Sequence, residues 1–208
     1  TMSRTLVGAL NEWLEWFGFG VSISTSENAR EGISLVVSDN NEEDHHISMV
    51  GVGISQAYPV ILQCLLSRPG DILLFEQPEL HLHPALQKKM GQFLLYFARE
   101  RRQIIIETHS EHIVNQLRAT AAADPEDQVQ RYVQLIFAEQ NNGETQYTPS
   151  EINKYGGLDE DWPDGFLDES SKLSEKLLSN AIAKKKREIE SQNLLVHLII
   201  KVSKKVTE

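Results

Sequence analysis

The chain has 208 residues, a formal net charge of −10, an apolar fraction of 40% and one cysteine. That size and balance suit one sizeable folded core with a small appendage, and they exclude a largely disordered chain. The lone Cys64 excludes an internal disulfide, the acidic balance argues against non-specific nucleic-acid binding by the whole surface, and no apolar run approaches the roughly 20 residues that span a bilayer; a cytoplasmic setting without membrane anchor or secretory signal is expected.

In chain order, residues 6–17 place Leu6, Leu10, Trp13, Leu14 and Phe17 near one helical face, and Gly18 and Gly20 supply the stop. Residues 33–37 and 47–50 read as two strands of a hairpin around the polar turn 39–46. Gly51-Val52-Gly53-Ile54-Ser55-Gln56 then opens a helix that carries Val60, Ile61, Cys64 and Leu65 toward a core. Residues 72–75 are an apolar run short enough for a buried strand of a parallel sheet, and it ends in the acidic cluster Glu76-Gln77-Pro78-Glu79.

Pro84 suits the first turn of a helix that carries Leu86, Met90, Phe93, Leu94 and Phe97 on one face and runs to about Arg102. Residues 103–107 form the next strand, which ends in Thr108-His109-Ser110 and leads into a helix with Ile113, Val114 and Leu117; residues 132–138 form a third. This alternation predicts an α/β fold with a mainly parallel sheet and right-handed crossover helices, so the loops after Phe75 and Glu107 emerge at one edge. Asn142-Gly143 predicts a two-residue hairpin turn and an antiparallel edge. Beyond Pro149 the chain is polar and then helical over 171–190, where Lys184, Lys185, Lys186 and Arg187 form a basic run that could touch phosphates but reads more readily as a solvated face. The organisation expected is a helix and hairpin over 1–50, the main lobe over 51–149 and a largely helical extension over 150–208.

This order of motifs resembles the C-terminal lobe of an ABC-type ATPase head of the bacterial AAA, SMC, RecF and OLD-nuclease kind. Gly51 to Gln56 is similar to the signature region, Leu73-Leu74-Phe75-Glu76-Gln77-Pro78 to Walker B, Leu80 to Pro84 to the D-loop, and Thr108-His109-Ser110 to the switch-histidine loop. Asp161-Trp162-Pro163-Asp164-Gly165-Phe166-Leu167-Asp168 resembles the C-terminal piece of related bacterial ATPases, some of which serve anti-phage defence. The resemblance covers about residues 45–168. It implies ATP and Mg²⁺ as cofactors, a homodimer of heads and an effector protein as partner; nucleic acid is left open by the basic run, and no membrane partner is expected from the lack of a long apolar run.

It also implies site roles. A glycine pair before a helix lets backbone N–H groups approach an anion, so Gly53, Ser55 and the Gln56 amide would bind a γ-phosphate, which in relatives belongs to the partner subunit's ATP. The same glycines would equally permit a plain strand-to-helix turn. Glu76 would hold Mg²⁺ through water. The usual catalytic glutamate position carries Gln77, which cannot act as a base but can orient water; Glu79, on the same side of an extended segment, is the candidate base. His109 would sense the γ-phosphate, although a histidine at a strand end also serves as a polar cap.

No G-x-x-x-x-G-K-[ST] loop occurs in the chain, so an N-terminal Walker A lobe is expected to come from the same full-length protein or a separate chain. Two rival readings share these residues. Glu76, Glu79, His81, His83, His109 and His112 could serve a metal-dependent hydrolase, or the lobe surface and basic tail a non-catalytic interaction module.

Overall fold

The computed structural model describes residues 5–28, 32–39, 43–126, 128–158 and 169–203. Helix α1 (Leu6–Phe17) is capped by the Thr5 hydroxyl, which accepts from the Gly8 N–H, and is stopped by Gly18 in the left-handed conformation, φ 86°. It buries Leu10, Trp13, Leu14 and Phe17 of the predicted face, while Leu6, in its first turn, is exposed. Lys89, from a later helix, donates to the carbonyls of Trp16 and Phe17 at 2.7 and 3.1 Å, placing a cation where the helix dipole is negative.

Three strands follow where two were expected. Strands β1 (Val21–Asn28) and β2 (Gly32–Asp39) pair antiparallel, with Ile23 opposite Val37 and both buried. The short β3 (Asp44–His46) adds to β2, and Ile47–Met49 is a 3₁₀ turn rather than the predicted second strand. The His46 imidazole accepts from the Ser48 N–H and so starts that turn. The outer edge of β1 is read by Asn11 of α1, whose amide accepts from Ile23 N and donates to Ile23 O at 2.7 and 3.0 Å.

Helix α2 (Val52–Leu66) carries Ala57, Val60, Ile61 and Cys64 into the core. Strand β4 (Ile72–Glu76), helix α3 (Pro84–Arg99), strand β5 (Gln103–Glu107) and helix α4 (Glu111–Ala123) then form one β-α-β-α unit. β4 and β5 pair parallel in the register Leu73↔Ile104, Phe75↔Ile106 and Glu76↔Glu107. α3 ends at Arg99, three residues short of the expected Arg102, because Arg101 takes a positive φ of 66° in the turn into β5.

The third strand does not extend this parallel pair. β6 (Gln134–Asn141) pairs antiparallel with β7 (Glu144–Glu151) in a two-stranded sheet of its own, joined by Asn142 and Gly143 at φ 52° and 87°, which suit the predicted tight turn. Among the described residues the parallel sheet therefore holds two strands.

One core joins α1, β1, β2, α2, β4, α3 and α4, with Phe17, Phe93, Leu14, Ile61, Met90 and Ile113 its largest fully buried members. Trp13 meets Phe93 edge-on at 4.8 Å, one of the arrangements aromatic rings favour. The chain divides into two compact units, Thr1–Asp161 and Trp162–Glu208. In the second, helix α5 (Glu169–Ser203) is longer than the 171–190 expected. The Asp161–Asp168 motif lies outside the described residues. Among the described residues no helix is long and apolar enough to cross a membrane.

Candidate functional site

The parallel register of β4 and β5 brings Glu76 and Glu107 side by side at their carboxyl ends. The chain beyond β4 first continues the ladder, with Gln77 N–H donating to Glu107 O at 2.8 Å. It then turns twice, through Leu80 N–H to Gln77 O and Leu82 N–H to Glu79 O, both 3.0 Å. Gln77 and His81 both hold positive φ, 44° and 62°. Two non-glycine residues in that region within five positions store strain, and such outliers concentrate where loop geometry serves a site. Pro78, Glu79 and Leu82 point inward and are buried; Glu76, Leu80, His81 and His83 are exposed, and Gln77 is intermediate.

Glu79 fastens this loop to the one after β5. Its side chain is only 7% exposed; Oε1 accepts from the Thr108 hydroxyl at 2.7 Å and from the His109 N–H at 3.1 Å. Oε2 is buried and has no hydrogen-bond partner among the described residues, a costly state for a carboxylate oxygen unless a donor arrives. The polar chain continues. Ser110 N–H donates to Thr108 Oγ1, Ser110 Oγ donates to Gln87 Oε1 at 2.6 Å, and Gln87 Nε2 donates to Leu82 O at 2.8 Å. Ser110 also caps α4 by accepting from Ile113 N–H at 3.2 Å. Both loops thus share one part-buried network, and Thr108, Ser110 and Gln87 belong to it. In the sequence Thr108 and Ser110 stand out only as neighbours of His109, and Gln87 carries no motif; the capping position of Ser110 is the one signal available.

His109 binds Glu79 through its backbone, and its side chain is exposed at the rim. Gly53 and Ser55 lie in the first turn of α2, which no side chain caps and in which the Ile54 N–H donates to the Gly51 carbonyl at 3.0 Å. The Ser55 hydroxyl donates to Val52 O at 3.0 Å, and Gln56 is half-buried. A Cβ on Gly53 would stand 3.5 Å from Leu82 and 3.6 Å from the His81 carbonyl, so the first turn of α2 borders the acidic loop. Gly53 therefore sits beside the same loop that Glu79 anchors.

The donor set does not match a transition-metal centre. Among the described residues no three His, Cys, Asp or Glu side chains converge as ligands. His83 is engaged as the N-cap of α3, accepting from Ala85 N–H, and Glu79 is turned to Thr108.

Residues 31–115 match the family described as "AAA domain, putative AbiEii toxin, Type IV TA system", and residues 130–177 match "Protein of unknown function (DUF3696)". No curated protein sequence matches. Among solved structures, one of SMC ATPases, studied for ATP-driven dimerization and DNA-stimulated activation, superposes with a TM-score of 0.52 at 13% identity over 83% of this chain and 90% of that one. The Smc head domain of Pyrococcus yayanosii, with coiled coil and joint, gives 0.51 at 16% identity over 69% of this chain and 26% of that one. The Smc head domain of Pyrococcus furiosus, bound to the C-terminal domain of ScpA, gives 0.51 at 13% identity over 83% and 37%. This chain thus spans 26% and 37% of the two Pyrococcus chains it resembles. Residues 31–115 are thus similar to an AAA domain family, and the chain has the fold of an SMC ATPase head.

Proposed function

We propose that this chain supplies the acidic-loop and switch-histidine half of an ATP-hydrolysing site, and that a lobe bearing the phosphate loop, from the same or a second polypeptide, completes it. The observation that carries this reading is the Glu79 bridge. One buried carboxylate joins the loops after two parallel strands at the sheet end where α/β folds hold their ligands, and leaves one oxygen without a donor. Glu76, exposed at the end of β4, would hold Mg²⁺ through its water shell; the ion would neutralise charge on the phosphates. Gln77 orients a water through its amide, and the Glu79 carboxylate takes that water's proton once its buried Oε2 is opened to the site. The Oε1 contacts keep the carboxylate aimed while this happens. His109 stands at the rim to contact a terminal phosphate.

The uncapped first turn of α2, with Gly53, Ser55 and Gln56, faces the γ-phosphate held by a second head, which makes hydrolysis dependent on head dimerisation. The SMC structures noted above carry dimerisation, DNA stimulation and ScpA binding in their own descriptions; for this chain a homodimer of heads, an effector protein and nucleic acid are proposed on that likeness, in a cytoplasmic defence or DNA-maintenance role. In the head assembled with its phosphate-loop lobe, Glu79→Gln should lower turnover by about 100-fold or more while nucleotide binding is retained. Wild-type turnover in that variant would reject Glu79 as the base.

A further inference from the structure

Helices α1 and α3 share a recess of about 430 Å³ lined by Glu12, Trp13, Trp16, Gln92, Phe93 and Tyr96. None of these residues belongs to the loops after β4 or β5. Trp13 and Phe93 are buried, whereas Trp16 and Tyr96 are 39 and 44% exposed. Trp13 is the ring the others meet: Trp16 stands across it at 81° and Tyr96 at 61°, with centroids 5.3 and 5.4 Å away. One buried ring, with an exposed ring from each helix standing across it, makes a three-sided aromatic box.

The box has the chemistry of a cation seat. Aromatic faces carry negative potential and attract guanidinium or ammonium groups. Trp16 already does so, since the Lys89 ammonium lies 5.4 Å from its ring centroid. That ammonium donates to the Trp16 and Phe17 carbonyls, the negative end of α1, which balance its charge, and the recess is lined by other residues. Glu12 brings a carboxylate to the recess and Gln92 an amide acceptor, and α1 holds Glu12 and Glu15 but no Lys or Arg.

We infer that this recess docks an arginine side chain of a partner protein. A guanidinium stacks flat on rings, is more weakly hydrated than an ammonium, and offers a fork to a carboxylate beside them. A protein segment rather than a free cation is selected by Leu6, 42% exposed, which continues the Trp13–Trp16 stripe of α1 at i, i+7 and i+10. Leu6 lies about 10 Å along the helix axis from Trp13, the reach of about three extended residues. An apolar side chain three positions from the arginine therefore finds a seat on Leu6. Nothing in this docking requires nucleotide.

The probe is a capped heptapeptide with a central arginine, a leucine at each end and glycine between; its citrulline counterpart is the neutral isostere and methylguanidinium the free cation. Titrated into the full chain, the arginine peptide should move the indole N–H NMR signals of Trp13 and Trp16 and saturate at millimolar concentration. The citrulline peptide and methylguanidinium should each bind about tenfold more weakly. Trp16→Leu and Tyr96→Leu, which keep apolar surface but remove a ring, should abolish the preference for arginine over citrulline, and Glu12→Gln should weaken the arginine peptide about threefold. Equal binding of the two peptides would show a recess indifferent to charge, equal binding of methylguanidinium a site for free cations, and silence of both indoles no site; each overturns the docking proposal. Indole shifts that grow with the chain's own concentration, before any peptide is added, would put a second copy in the recess and overturn it as well. Should a variant not fold, as circular dichroism would show, the comparison of the two peptides on wild type decides alone.

Discussion

Glu79 shows how burial separates residues that look alike in sequence. Glu76 and Glu79 lie three positions apart, yet one is exposed and the other is locked against Thr108 and His109. Asp124 makes the same point away from the site. Desolvation raises its carboxyl, but the N–H groups of Val129, Glu126 and Gln128 and the Arg99 guanidinium outweigh that and hold it below the usual carboxylate range. A folded value below the unfolded one means that the charged form stabilises the fold above the unfolded-chain value of 3.8. That contribution disappears as pH falls through the lowered folded value. Asp124→Asn should therefore be less stable than wild type by a constant margin between about pH 5 and 7, and the margin should shrink below about pH 4, as read by urea unfolding at each pH. Cys64 behaves oppositely: burial pushes its thiol up to about 12, and Arg102 offsets this only in part. Iodoacetamide should label it only when the protein is unfolded, which mass spectrometry across a urea series would follow.

At the scale of elements, close approach between helices and loops sets where side chains are forbidden. Gly91 of α3 faces Ile113 of α4, and a Cβ there would already lie 3.4 Å from its Cγ2 and carbonyl oxygen, so these two helices cross at a glycine. Gly156 is more constrained, with φ +76° and a Cβ position 2.6 Å from the Arg118 carbonyl, while Arg118 Nε donates to Gly156 O at 2.7 Å. Gly156→Ala meets a backbone clash and an unfavourable φ together and should destabilise by about 2–4 kcal/mol. Gly143→Ala, with φ +87° but open space around it, should cost only about 1 kcal/mol. Equal losses in chemical denaturation would remove the clash at Arg118 from the account. The missed strand β1 also belongs to this scale. Its serines and threonine gave a weak hydrophobic alternation, and what holds it is Asn11 on one edge and the Ile23–Val37 pair on β2, both contacts between segments distant in sequence.

Across the whole molecule, what matters for activity is which parts of a nucleotide site one chain can hold. The acidic loop, the His109 loop and the α2 turn are gathered around one core, whereas the sequence contains no G-x-x-x-x-G-K-[ST] loop. By itself this chain should bind Mg-ATP weakly or not at all; tight binding in isothermal calorimetry would show that the rim alone suffices and would overturn the need for a second lobe.

The order of motifs, the parallel β-α-β unit and the acidic loop were legible because they depend on local rules: an apolar run of strand length, a proline at a first helical turn, an Asn-Gly hairpin. The Glu79–Thr108–Ser110–Gln87 network, the separation of β6 from the parallel pair and the bare face of Ile72, Leu74 and Ile105 were decided by tertiary structure. Each depends on which distant segments meet, and partners 23 to 30 positions apart leave no trace in composition or periodicity.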